Sequence, residues 1–270
     1  MSPAVSVELA SKGSETMSDE SGREPAPSGV IAEQVASILG HVPSDGGADP
    51  ASHPARASLD RGEREIKDHV LRMGSLVEAQ IRAAIVALVN HDAAAAEAVI
   101  VADEAINEAQ RTVSMLITTT IATQQPVARD LRFLLALDHV TYELERMGDH
   151  ASSVAKQARR LAQEPPLKQY VDLPRMGEID AELVSGILRA LIDIDEGVAR
   201  EVAARDDEVD ALYHRIFSEV IDLMRADPAN VERGTRLILA SHYLERIGDR
   251  VTNIAEDVVY LATGEVEDLN

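Results

Sequence analysis

Leu144-Glu145-Arg146-Met147-Gly148-Asp149 and Leu244-Glu245-Arg246-Ile247-Gly248-Asp249 are nearly the same six residues, set 100 positions apart in a chain of 270. Each lies inside an apolar stripe with three- and four-residue steps. The first runs Val140, Leu144, Met147, Ala151, Val154, Ala158, Leu161; the second runs Ala240, Leu244, Ile247, Val251, Ile254, Val258, Leu261. That spacing is one apolar seam of a helix, close to a heptad. Towards the N-terminus, Ile66, Val70, Met73, Val77, Ile81, Ala84 and Leu88 predict a long helix from Ser58. Val99, Ala102, Ile106, Ala109, Val113 and Leu116 predict another. Asn90-His91-Asp92 separates these two, with Asp92 placed to cap the second. Gln124-Gln125 and Pro126 mark the next boundary. Helices of roughly 30 residues would be about 45 Å long. Short connections make sequential helices antiparallel neighbours, crossing at about 20°.

The pattern then restarts. Residues 164–174, with Pro165-Pro166, read as a linker. Beyond it, Ala87-Leu88 and Asp92 are answered by Ala190-Leu191 and Asp195, an offset of 103 residues. The offset holds for Ala96 and Ala199, Val99 and Val202, and Asp103 and Asp206, and has become 100 in the last helix. The second copy is therefore three residues shorter, most simply at the turn before Pro228. A repeat of this size is one supersecondary unit used twice. The sequence thus predicts an all-α chain of two tandem antiparallel three-helix bundles, residues 58–163 and 176–264, joined by a linker at 164–175. Residues 1–57 are rich in Ser, Pro, Gly, Ala and acids and predict a disordered tail. Within that tail, Val30-Ile31, Val35, Ile38 and Leu39 have the spacing of one or two helical turns. Residues 265–270 form a short C-terminal tail.

Composition narrows the function. There is no cysteine, so disulfides and thiolate metal sites are excluded. A net charge of -21 opposes binding to nucleic acid or to an anionic lipid surface, and suits cations or a basic protein partner. No run approaches the roughly 20 apolar residues of a transmembrane helix, and the N-terminus does not look like a signal peptide. A cytoplasmic location is expected.

The repeated hexapeptide also holds the candidate chemistry. Glu145 and Asp149 are four residues apart, as are Glu245 and Asp249. On a helix this stacks two carboxylates on one face, an arrangement mildly destabilising by itself and well suited to a hard or borderline cation. With Leu144 and Met147 on the seam, both carboxylates fall on the flank and outer face, open to water or to a partner. The second helix of each copy adds Asp103 and Asn107, then Asp206 and Asp210, again four apart. The competing reading is an ordinary charged surface neutralised by Arg146 and Arg246. Gly148 and Gly248, each costing about 1 kcal/mol mid-helix relative to Ala, mark a close approach by another group or room for a ligand. Glu-x-x-His, the spacing of a di-iron bundle enzyme, does not occur; Ala136, Met147, Ala211 and Leu239 stand three before His139, His150, His214 and His242. No phosphate-cradling glycine loop, nucleotide fingerprint or Ser/His/Asp order stands out. A regulatory, non-enzymatic protein is expected; a carboxylate-bridged metalloenzyme and a purely structural helical scaffold are the alternatives.

At these residues the sequence resembles the PhoU family, accessory regulators of phosphate-specific transport. The likeness is carried by Met73-Gly74 with Val77-Glu78, by residues 125–132, by the two hexapeptides and by Asn253-Ile254-Ala255. It covers about residues 59–264. The resemblance implies two three-helix bundles related by pseudo-twofold symmetry. It also implies surface metal clusters held by Glu/Asp-x-x-x-Asp pairs; carboxylate sites of this kind accept divalent or trivalent ions such as iron, zinc, manganese or magnesium. Here those pairs are Glu145/Asp149, Glu245/Asp249 and Asp206/Asp210, while Asp103/Asn107 departs from the pattern with an amide. It further implies a cytoplasmic adaptor that negatively regulates the phosphate-starvation response. Such an adaptor would link the ATPase of a phosphate ABC transporter to a sensor histidine kinase, reach the membrane only through those partners and act as a homodimer.

Overall fold

The computed structural model describes residues 54–269. Nearly all of the predicted tail, including its apolar patch at 30–39, lies outside the described residues. The elements are α1 (Pro54–Val89), α2 (Ala93–Gln124), α3 (Ala128–Leu161), α4 (Asp172–Asp193), α5 (Glu196–Ala203), α6 (Asp206–Ala226) and α7 (Val231–Thr263). A 3-10 turn at Pro228–Asn230 leads into α7. The first repeat is α1–α3 and the second is α4–α7.

Boundaries follow local chemistry. Asp92 Oδ1 accepts from the Ala94 and Ala95 amides at 2.9 Å, and Asp195 Oδ1 from Val198 at 3.1 Å. These caps satisfy amides that a helix start leaves unpaired. Helix α1 begins a turn before Ser58, with Pro54 at its first position, where the missing N–H costs nothing. Helix α4 begins at Asp172, inside the predicted linker. The expected fifth helix is two helices: Ala204 and Arg205 stay right-handed, but the Arg205 amide bonds to Val202 rather than to the residue four back. Asp206, Asp207 and Glu208 then fill the first turn of α6, where negative charge favours a helix start.

The predicted stripes become the core. Every apolar residue named for α1 is at most 1% exposed, and those of α3 at most 3%. Helix α2 departs by a fraction of a turn: Ala96, Val99, Ile106, Val113 and Ile117 are buried, whereas Ala102 is exposed and Leu116 half-buried. Its seam is narrower than alternating alanines suggest. Helix α3 buries far more than one stripe, including Glu143, Thr141, Ser152 and Gln157, because it packs against α1, α2 and α7.

The repeats join through equivalent helices. Helices α3 and α7 run antiparallel, with His139 meeting Asp257 at one end and His150 stacked on Tyr243 at the other. Helices α1 and α4 pack through glycine-sized gaps: Leu188 fills the space beside Gly74, and Ile85 fills that beside Gly177. Under the 103-residue offset these two contacts exchange, so the interface repeats itself about a local twofold.

Candidate metal centre and family membership

In the first repeat, Asp103 stands on α2 opposite Glu145 and Asp149 on α3. Gln80 of α1, 5% exposed, donates from Nε2 to Asp103 Oδ1 at 3.0 Å. The Arg146 guanidinium reaches Asp149 Oδ2 at 3.0 Å and lies 3.4 Å from Glu145 Oε2. Burial pushes the Glu145 carboxyl up, and the neighbouring charges of Asp149 and Asp103 push it further, against the pull of Arg146. Glu145 Oε2 and Asn107 Oδ1 are buried and accept no hydrogen bond. Beside Gly148 lie Ile106 Cδ1 and Gln80 Oε1, at 3.0 and 3.2 Å from where a Cβ would stand.

The second repeat gathers its candidates more tightly. Asp206 is only 7% exposed. Burial raises its carboxyl to about 7, with Asp210, Asp249 and Glu245 each adding like charge. All four predicted residues therefore share one neighbourhood. Arg246 holds Asp249 Oδ2 at 2.9 Å, and His242 Nδ1 lies 3.2 Å from Glu245 Oε2. Gly248 leaves room for Asp206 Oδ1, which a Cβ there would overlap. The expectation of an outward-facing site holds for the α3 and α7 pairs, whose side chains are 20–39% exposed, and fails for Asp206. The heptad phase of α7 says nothing about the start of α6, which tucks Asp206 against Gly248.

Sequence reasoning missed Asp180 on α4. It is fully buried, neither oxygen makes a hydrogen bond, and its charged neighbours are Asp206 and Glu245. The signal was there: at the 103-residue offset Asp180 replaces Val77, an acid within an apolar stripe. Also missed was a buried ion network where α3 meets α7. His139 lies 2.6 Å from Asp257 and 3.3 Å from Glu143, and Arg250 reaches Glu143 at 3.3 Å. Burial alone would lower the imidazole's pKa, but the two carboxylates outweigh it and raise it to about 10. Among the described residues, no three His, Asp or Glu side chains already converge as a metal-ligand set. The carboxylates are adjacent but not gathered around one point.

Two segments of the chain, 70–158 and 173–258, match the model of the PhoU domain. The chain belongs to the PhoU family. The two PhoU domains coincide with the two repeats, and each contains one hexapeptide. A PhoU homolog of Clostridium acetobutylicum, named a phosphate-specific transport system accessory protein, is 39% identical over 207 residues, covering 76% of this chain and 94% of that protein. The one from Pseudomonas aeruginosa is 34% identical over 217 residues, covering 80% of this chain and 90% of its own. The crystal structure of PhoU from Pseudomonas aeruginosa superposes with a TM-score of 0.73 at 35% identity, over 77% of this chain and all of that one. PhoU from Streptococcus pneumoniae, a phosphate transport system regulatory protein, gives 0.71 at 30% identity, over 78% and 99%. No described helix is long and apolar enough to cross a membrane.

Proposed function

We propose that this PhoU-family protein regulates phosphate transport as a cytoplasmic adaptor, without catalysis. In this reading it links the ATPase subunit of a phosphate ABC transporter to a sensor histidine kinase and keeps starvation signalling low while phosphate is plentiful. It works as a homodimer and meets the membrane only through these partners. Membership in a family whose named relatives are phosphate transport accessory proteins carries the proposal. The net charge of -21 suits basic partner surfaces.

Divalent or trivalent metal belongs to the same proposal. Its ligands are Asp103, Asn107, Glu145 and Asp149 in the first repeat, and Asp206, Asp210, Glu245 and Asp249 in the second. The residues fit such an ion: Asn107 Oδ1, Glu145 Oε2, Asp206 Oδ1 and Glu245 Oε2 are buried oxygens without a hydrogen bond, and all are hard donors. A bound cation would neutralise the repulsion among these acids. The test is a pull-down from native lysate at high and low phosphate, wild type beside a variant with Glu145, Asp149, Glu245 and Asp249 changed to Ala. Recovery of the transporter ATPase or the kinase, altered by phosphate or by the mutations, is the expected result. Recovery of neither by folded, expressed protein would refute the adaptor role.

A further inference from the structure

We propose that Asp180 is a fifth carboxylate of the second-repeat site, reaching its cation from the core side, so that the two repeats bind divalent metal with unequal affinity. The inference rests on the metal reading above and assigns it a residue on a helix outside the paired motifs. Around Asp180, helix α4 is apolar: Met176, Ile179, Leu183, Val184 and Ile187 are at most 1% exposed. Asp180 itself is completely buried, and neither Oδ1 nor Oδ2 has a hydrogen-bond partner. The charged groups that face it are Asp206 from α6 and Glu245 from α7, both acids.

Such a carboxylate is strongly disfavoured in a protein interior unless a cation or a proton joins it. Asp206 Oδ1 and Glu245 Oε2 are likewise buried without a hydrogen bond. Four oxygens from three helices therefore share one unmet need, and a hard cation with six or more oxygen ligands would meet it at once. The first repeat keeps one part of this arrangement, a Glu145 Oε2 buried without a hydrogen bond, and lacks the rest. Val77 stands at the Asp180 position and Asn107 at that of Asp210. Gln80 already donates a hydrogen bond to Asp103. Three carboxylates and an amide face five carboxylates, and affinity for hard cations rises with ligand charge. Because the side chains do not yet converge, ion binding turns these short side chains inward around the metal.

The test is Mn2+ titration of the metal-stripped full chain, with free Mn2+ read by electron paramagnetic resonance. Wild type is compared with Asp180→Val, Asp180→Asn and a Glu245→Ala/Asp249→Ala double variant. Asp180→Val installs the residue the first repeat already uses there, and Asp180→Asn keeps the shape if valine disturbs folding. Wild type is expected to show one tighter and one weaker class of site. Both Asp180 variants should weaken the tighter class at least tenfold and leave the weaker one unchanged. Their thermal midpoints in EDTA should rise, and most of the stabilisation by Mn2+ should vanish. Wild-type affinity in both Asp180 variants, with the tighter class lost in the double variant, would make Asp180 a protonated core acid and overturn this proposal alone. No saturable Mn2+ binding by wild type would overturn it together with the metal reading.

Discussion

Gly248→Ala separates the two explanations for a glycine inside a helix. Alanine is favoured over glycine there by about 1 kcal/mol, so an exposed position would gain stability. At Gly248, however, the new Cβ would overlap Asp206 Oδ1, and real Cβ contacts essentially never fall below 3.0 Å. Overpacking of this kind costs about 1–3 kcal/mol. The net expectation is a loss of about 0–2 kcal/mol in the wild-type background. Once Asp206→Ala has removed the carboxylate, the same Gly248→Ala change should instead stabilise by up to about 1 kcal/mol. The cycle therefore has a coupling energy of about 1–3 kcal/mol and a change of sign. Urea unfolding of the four proteins in EDTA, followed by far-UV circular dichroism, measures it. Gly148→Ala is the comparison: its Cβ would meet Ile106 Cδ1 and Cγ2 at 3.0 and 3.3 Å and Gln80 Oε1 at 3.2 Å, tight contacts without overlap, so it should cost less than Gly248→Ala. Equal effects of Gly248→Ala in both backgrounds would refute the claim that the glycine exists to admit Asp206.

Other expectations follow from the buried charges. His139→Leu should cost about 3–5 kcal/mol, because Glu143 and Asp257 lose their shared cation. Replacing the whole network by its counterparts, as His139→Leu/Glu143→Tyr/Arg250→His/Asp257→Gln, should recover most of that loss; urea midpoints that stay at the single-variant value would contradict this. The pKa of Asp206 is raised to about 7 from an unfolded value of 3.8, so the folded state binds the proton more tightly. Its contribution is therefore complete at low pH and is lost as pH rises from about 4 through 7, on the order of 4 kcal/mol in all at 1.36 kcal/mol per unit. Metal-free wild type should show this slope and Asp206→Asn should flatten it, while parallel stability curves for the two would defeat the assignment. Glu245→Ala/Asp249→Ala should lower bound metal, measured by plasma mass spectrometry, with helicity nearly intact. Unchanged stoichiometry would count against the site.

The helices were legible because each apolar stripe needs only local periodicity, and the repeat because two stretches agree over long spans. The stripe of α1, Ile66 to Leu88, is wholly buried as its spacing implies. Two kinds of feature were not legible. The break at Ala204-Arg205 leaves the apolar pattern undisturbed, since Val202 and Val209 remain buried on either side of it. Contacts between repeats depend on a packing that periodicity does not encode, so the pairing of His139 with Asp257 and of Glu143 with Arg250 had no signature within α3. The site lies between these cases. Four-residue spacing found every carboxylate on the outer flanks, yet the heptad phase gave no depth for a residue at a helix start, which is why Asp206 was expected outside. Asp180 was visible only as an exception to a stripe, and only once the 103-residue offset was applied to α1 and α4.

The same motif in two repeats does not make the same site. Gly148 and Gly248 leave equivalent spaces, but Ile106 and Gln80 occupy the first while an Asp206 carboxylate occupies the second. A space filled by a methyl group and an amide is free of charge repulsion, although Gln80 Oε1 is buried without a hydrogen bond while its Nε2 donates to Asp103. A space filled by an acid beside Asp180, Glu245 and Asp249 is not, and only a proton or a cation relieves it. The seam between α3 and α7 is uneven in the same way. Glu143 and Arg250 at one end correspond to Tyr243 and His150 at the other, so an ion pair faces a stacked ring pair across the local twofold. The seam difference arises at equivalent positions on equivalent helices, whereas the glycine spaces are filled from non-equivalent ones, since the counterpart of Asp206 is Asp103 rather than Ile106 or Gln80. The duplicated scaffold therefore supplies matched surfaces, and the side chains beneath them make the two chemically unequal.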